Sequence, residues 1–254
     1  MTATWAIALL TLKEAIRNKI LYLLLFFAVL LIVSSWITSQ LTIGDDMKII
    51  KDIGLSSIHF FGVLITIFIG IGLVFREMEK RTIYLILSKP VTRPQFLLGK
   101  FLGLAVTLLL VLTSLMVIFY TVLLLKGDLD GRLLIAFYLI YFEWLLLAAI
   151  AVVFSSFSTP LLSTMMTLSV FFAGHLTESL LMLEKRVETA AGKGILSTLY
   201  HLLPNLELFN VRAQVVHHLS LPAGFVMETS VYGFLYLLTL LLLAILIFQK
   251  KDFT

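Results

Sequence analysis

The chain has 254 residues, of which 60% are hydrophobic and only 13% charged, with a mean hydropathy of +1.07. A soluble domain of this length carries roughly 25% charged residues, so the composition excludes one and points to a polytopic membrane protein. The absence of cysteine rules out disulfides, thiolate metal sites and cysteine nucleophiles, and the net charge of +4 says little about nucleic acid. In a membrane protein the informative quantity is how Lys and Arg divide between the two faces.

The chain opens on an amphipathic stretch, residues 1–19. Trp5, Leu9, Leu12 and Ile16 share one helical face, Thr4, Thr11, Glu14 and Asn18 the opposite one, and Lys13 and Arg17 flank the apolar stripe. This pattern predicts an interfacial helix that also serves as a positive-inside anchor. The apolar run after it is too long for a signal peptide and no small-residue cleavage site follows, so the first span is expected to be retained.

Six spans are predicted, at Ile20–Thr38, Ser57–Phe75, Leu102–Leu125, Leu133–Phe154, Leu161–Leu183 and Val226–Phe248. Each holds about 19 to 24 residues, enough at about 1.5 Å per residue to cross a hydrocarbon core of about 30 Å. Backbone groups in lipid must be satisfied within the segment, so these are helices and the fold class is all-α. Between the first two spans lies an outer loop, Asp45–Ser57. Residues 126–132 and 155–160 are tight turns rich in Gly, Asp, Ser and Pro.

The segment 184–225 before the last span is patterned. Ile195, Leu199, Leu202 and Leu203 recur at helical spacing, Pro204-Asn205 interrupts, and Leu208, Val211, Val215 and Val216 resume the pattern. It predicts two short helices at the outer membrane surface, or dipping into it; the alternative is a small cap standing off the membrane.

With both termini on the inner side, eleven of the nineteen Lys and Arg residues are inner and eight outer, while four acids are inner and nine outer. Six of the eleven inner cations lie in the one segment Arg76–Lys100. The bias places both termini in the cytoplasm.

That segment, part of the predicted inner loop 76–101, carries the densest charge in the chain. Arg76, Glu77, Glu79, Lys80 and Arg81 mix both signs, Thr82–Leu87 is apolar enough to pack, and Pro90 disfavours helix at Lys89. Mixed charge suits an ion-paired docking surface that fixes register with a partner. A solvated positive-inside loop tolerates the same mixture.

Few ionisable residues fall inside the spans. Glu143 lies mid-bilayer in the fourth, and His175 and Glu178 lie one turn apart in the fifth. A carboxylate at that depth costs several kcal/mol unless protonated, paired or wetted. Two readings stand: a polar path for substrate or protons, or a packing hydrogen bond between Glu143 and His175. His59, His201, His217 and His218 do not read as a metal site, because adjacent His217 and His218 diverge on a helix. No metal is expected. Gly62, Gly70 and Gly72 suggest close helix approach in the second span.

Taken in order, the run Glu77-x-Glu79, Thr82, Leu85-x-Leu87-Ser88, Pro90-Val91-x-Arg93, Gly99-Lys100, then Leu203-Pro204-Asn205-Leu206-Glu207 with Phe209-Asn210, and the ending Lys250-Lys251-Asp252-Phe253, resembles the type-two ABC export permeases. The similar branch is that of multicopper-enzyme maturation and nitrous oxide reductase assembly permeases. The resemblance covers essentially the whole chain, with one departure: Arg81-Thr82 stands where that branch has Gly-Thr.

The resemblance implies a coupling helix that docks a separate ABC ATPase subunit through Arg76, Glu77, Glu79, Lys80, Arg81, Thr82, Lys89, Pro90, Arg93 and Lys100. ATP and magnesium would sit on that partner. This chain has no G-x-x-x-x-G-K-[ST] motif and is expected to bind no cofactor and to catalyse no reaction itself. The other implied partners are a second permease copy and membrane lipid, in a prokaryotic cytoplasmic membrane. The substrate is left open. One alternative is a mechanotransmitting subunit that drives an extracytoplasmic binding protein without transport. An intramembrane enzyme is the weakest reading, since the chain has no HExxH or serine–histidine grouping.

Overall fold

Apolar runs with charge only at their ends fold as helices wherever no water can satisfy the backbone. The computed structural model describes residues 3–40, 46–79, 91–187 and 189–250, and among them there are helices and turns but no strands. The longer helices are α1 (Ala3–Ile16), α2 (Lys19–Ser39), α3 (Asp46–Glu79), α4 (Arg93–Leu125), α5 (Leu133–Ser155) and α6 (Pro160–His175). They are followed by α7 (Thr177–Arg186), α8 (Ala190–Leu202), a 3-10 turn (Glu207–Phe209), α9 (Arg212–Val216) and α10 (Phe225–Lys250). Five of these, α2, α3 as Asp46–Gly72, α4, α5 and α10, are long and apolar enough to cross a membrane.

Local chemistry sets the ends. Asn18 caps α2 by accepting from the Ile20 N–H at 3.0 Å. Thr92 and Gln95 form a reciprocal capping box at α4, and Pro160 occupies the first turn of α6. Gly127 adopts φ +78° in the turn after α4, a conformation other residues resist.

The centre of the bundle is α3 against α5. In their spanning parts 72% and 67% of residues are buried, against 22% for α2 and α10. Gly62 lets the indole of Trp144 lie directly on the α3 backbone, and Gly54 does the same for the Phe119 ring. Phe26, Phe27, Leu235 and Leu242, by contrast, point outward from α2 and α10. An apolar exterior over a packed interior is what acyl chains require and water penalises.

The helix α1 lies along α4. The small residues Ala8, Thr11 and Ala15 are buried, and Gly99 and Gly103 of α4 leave no room for a Cβ beneath Ile7, Thr4, Ala8 and Thr11. This is small-residue helix packing of the kind that works in lipid. The stripe Trp5, Leu9, Leu12 and Ile16 is thus not the face that docks: Trp5 and Ile16 are exposed.

Two expected boundaries move. The predicted outer loop Asp45–Ser57 is helical from Asp46 onward, and the third predicted span begins nine residues early, at Arg93 rather than Leu102. Both extensions carry a buried cation with its counter-charge on another element. Lys51 Nζ lies 2.8 Å from Asp128 and 3.1 Å from Asp130. Lys100 Nζ lies 3.1 Å from Glu14. Burial alone would raise the Asp130 carboxyl, but the Arg132 N–H and the Lys51 ammonium hold it below its ordinary value.

The fifth predicted span, Leu161–Leu183, is divided. At 16 residues α6 extends about 24 Å, short of a full crossing. The helix breaks at Leu176, and the freed Gly174 carbonyl accepts from the Leu206 N–H at 3.0 Å and from the Thr177 hydroxyl at 3.1 Å. Thr177 also contacts Asn205 Oδ1 at 2.9 Å, and a Cβ at Gly174 would meet Pro204 and Leu206. Chain from the 184–225 segment has replaced a helical hydrogen bond. The same segment donates from Asn205 N to the Tyr232 hydroxyl of α10, while Leu206, Phe209, Val211 and Val215 are buried.

The α3–α5 contact sets a stability test. Gly62→Val should destabilise by about 1–3 kcal/mol or more, because Trp144 cannot withdraw without leaving the core. Gly72→Val, where a Cβ meets open space, should cost clearly less. Thermal unfolding in detergent followed by tryptophan fluorescence compares them, and equal losses would contradict the packing described.

Candidate functional site

Three helices meet around one carboxylate. Glu143 lies about 15 Å along α5 from Leu133 and is fully buried. His59 occupies the midpoint of the spanning part of α3, Asp46–Gly72, and His175 is the last residue of α6. The three are placed by the α3–α5, α3–α6 and α5–α6 contacts.

His59 Nε2 lies 2.8 Å from both carboxylate oxygens of Glu143. One proton is shared in that contact, whether it sits on nitrogen or on oxygen. His175 approaches from the other side, its Nε2 3.4 Å from Glu143 Oε1. That contact is not aligned as a hydrogen bond, and among the described residues the buried Nε2 has no hydrogen-bond partner. Its Nδ1 lies 3.1 Å from the Phe171 carbonyl. A carbonyl only accepts, so Nδ1 carries a proton, and Nε2 is the ring atom directed at Glu143. The Phe171 ring packs 4.6 Å from His175 and 6.1 Å from His59, fixing both planes. All three ligating atoms lie within 4.8 Å of one another.

Of the residues predicted for an intramembrane polar path, the structure brings Glu143 and His175 together. Glu178 lies beyond the break, on α7, and its side chain is outside the described residues. The closest partner of Glu143 is His59, to which sequence reasoning gave no role. With the second span expected to start at Ser57, His59 sat near the interface; with α3 starting at Asp46 it lies about 20 Å in. The recurrence of Ile50, Leu55 and Ile58 was the signal that the helix begins earlier.

The predicted docking residues divide. Lys80, Arg81, Thr82, Lys89 and Pro90 lie outside the described residues, as do the side chains of Arg76, Glu77 and Glu79, whose backbone forms the end of α3. Arg93 and Lys100 are joined to other helices. The Arg93 guanidinium donates to the carbonyls of Phe248 and Gln249 at 3.4 and 2.8 Å, satisfying acceptors that the end of α10 leaves open. Lys100 is buried under α1 against Glu14, with the Phe96 ring 6.0 Å below it, and Phe96 stacks on Phe248. Residues 93–100 thus tie the ends of α1, α4 and α10 together.

At the opposite end of the bundle, Lys51, Asp128 and His218 line an open cavity of about 500 Å³. Met47 and Val216 add apolar lining, and the cavity shares no residue with the Glu143 cluster.

Residues 5–253 match the family model described as ABC-2 family transporter protein. No curated protein matches the chain.

The Glu143 geometry gives a direct expectation for stability. Glu143→Gln keeps an acceptor for His59 and adds a donor for His175, so the variant should fold within about 1 kcal/mol of the parent. Glu143→Lys places a buried ammonium without a counter-charge beside His59 and His175, and should cost about 3–5 kcal/mol. Size-exclusion profiles and thermal midpoints in detergent distinguish the two. A Gln variant as damaged as the Lys variant would contradict this account.

Proposed function

This chain belongs to the ABC-2 transporter family, and from that premise we propose that it is the membrane half of an exporter driven by a separate ATPase chain. Family membership makes it a permease subunit of an ABC transporter, which works with an ABC ATPase. The finer reading is that residues 76–100 dock that ATPase and that each catalytic cycle moves the helices flanking them. The observation that carries it is the continuity of those helices with the rest of the bundle. On one side α3 runs unbroken from the buried His59 to Glu79. On the other, α4 starts at Arg93, which holds the end of α10, and reaches Lys100, which holds α1. Force applied between Glu79 and Arg93 would pass into four helices at once.

In this reading α6 and α7 together make the sixth crossing, both termini are cytoplasmic, and the segment 184–225 is extracytoplasmic. A chain of six crossings lines half of a pathway, so a second copy or close relative completes it. The membrane is the prokaryotic cytoplasmic membrane, and the cargo moves outward.

A second reading has its own support. The segment 203–211 is hydrogen-bonded to the break after α6 and to Tyr232 of α10, and Tyr236 donates to the Leu202 carbonyl at 2.7 Å. Movement of α6 or α10 would therefore displace this segment, which suits a subunit that works on an extracytoplasmic protein without passing cargo. A complex that hydrolyses ATP only when such a protein is added would favour it over export.

Two measurements test the main reading. Reversing Glu79 to Arg together with Arg81 to Glu should abolish co-purification with the ATPase, or leave hydrolysis uncoupled, while the detergent-solubilised chain keeps its thermal midpoint. Normal assembly with full coupling would count against docking there. For topology, Gly194→Cys sits where an added side chain meets open space, in a chain with no other cysteine. It should react with a membrane-impermeant thiol reagent in intact cells. Reaction only after lysis would reverse the orientation.

A further inference from the structure

We propose that His59, Glu143 and His175 bind one borderline divalent cation, best matched by Zn²⁺, in the middle of the helix bundle. The three side chains come from three different helices and bring their donor atoms within 4.8 Å of one another.

The first step is electrostatic. His59 and Glu143 share a proton and satisfy each other. His175 is different: its Nδ1 is committed to the Phe171 carbonyl, and its Nε2 faces Glu143 Oε1 across 3.4 Å. Nε2 is buried and, among the described residues, has no hydrogen-bond partner. A cation between the two atoms would give Nε2 the partner it lacks. The Nδ1–H to carbonyl contact is also the outer-shell device that fixes the tautomer and ring plane of metal-ligating histidines.

The second step is spacing. Tetrahedral Zn²⁺ holds N and O ligands at about 2.0–2.2 Å, which puts neighbouring donor atoms roughly 3.4 Å apart. The His175 to Glu143 distance already has that value. The His59 contact, at 2.8 Å, must open by about half an ångström, a small torsional adjustment for a Glu side chain. As the ion binds, the proton shared by His59 and Glu143 leaves their contact, to His59 Nδ1 or to solvent, and Nε2 becomes a ligand.

The third step is selectivity. Two imidazoles and one carboxylate suit Zn²⁺ and its borderline neighbours; with no thiolate in the chain and few oxygen donors, soft Cu⁺ and hard Ca²⁺ or Mg²⁺ fit poorly. Three protein ligands leave one coordination position open, and the His175 side, 18% exposed, is where it would lie. Such an ion would clamp α3, α5 and α6 together, independently of any role of the permease in export.

The test uses the full chain purified in detergent on an affinity tag without histidine, stripped with a chelator, and titrated with Co²⁺ as a spectroscopic probe and then Zn²⁺. The expected result is one ion per chain, a visible cobalt band of four-coordinate character displaced by Zn²⁺ but not by Mg²⁺ or Ca²⁺, and a raised thermal midpoint. His175→Gln, with an unchanged size-exclusion profile as the check on folding, should abolish the band and weaken Zn²⁺ by more than the roughly 10–100-fold that loss of an outer-shell partner costs. His201→Gln and His217→Gln, both at exposed positions, should bind as the parent does. Absence of stoichiometric cobalt or zinc binding by the parent would overturn the proposal whatever the variants do. So would equal binding by His175→Gln, or equal displacement by Mg²⁺.

Discussion

A carboxylate sealed among apolar helices is the constraint on which this bundle depends. Glu143 has no access to water, and leaving it without partners would cost several kcal/mol. Its surroundings on α5 are apolar, so its partners come from elsewhere: His59 from α3 and His175 from α6. That requirement fixes the axial register of three helices at once. Apolar packing alone would not, because Leu, Ile and Val surfaces slide past one another at little cost when the surrounding lipid is equally apolar. The glycines then set the distance. Gly62 admits Trp144, the neighbour of Glu143, so the helices come close where the polar contact needs them close.

Two further polar layers stand one at each end. Lys51 joins α3 to the turn between α4 and α5 through Asp128 and Asp130, and the Tyr120 hydroxyl donates to the Asp130 carbonyl at 3.1 Å. At the opposite end Lys100 and Arg93 join α4 to α1 and α10. Each of these cations serves two elements whose apolar faces leave their mutual position undetermined. The peripheral helices α2 and α10 contribute mostly surface, and α10 is located by Arg93 and by its tyrosines rather than by burial.

The parts legible in the sequence were those governed by lipid alone. Ile20–Thr38, Leu133–Phe154 and Val226–Phe248 match α2, α5 and α10 to within a residue or two, because predominantly apolar runs of about twenty residues have a single solution in a bilayer. The errors fall where a charge is solvated by protein instead of water. Lys51 and Lys100 looked like the ends of spans, yet each lies inside a helix with its counter-ion on another element. The break after His175 was hidden for a related reason: the residues that compensate it, Pro204 to Leu206, lie some thirty positions away in the chain. His59 was missed because its meaning depends on where α3 starts. That Glu143 and His175 come together was readable, since ionisable residues on adjacent spans gather away from lipid, but the hydrogen bond expected between them is taken by His59.

One helix passes through the first two of these layers and reaches the third region. α3 carries Lys51 near one end, His59 at its middle and Glu79 at the other, over 34 residues without a break. A rigid rod about 50 Å long cannot shift at one end without shifting at the other. Polar contacts along such a rod have discrete geometries, unlike apolar ones, so an axial displacement must break the His59–Glu143 contact or carry α5 with it. The cluster at Glu143 is therefore the point at which motion of the Glu79 end is either transmitted across the bundle or absorbed. What occupies the space between His175 and Glu143 bears directly on that choice, since a shared proton ties two helices and a bound cation would tie three.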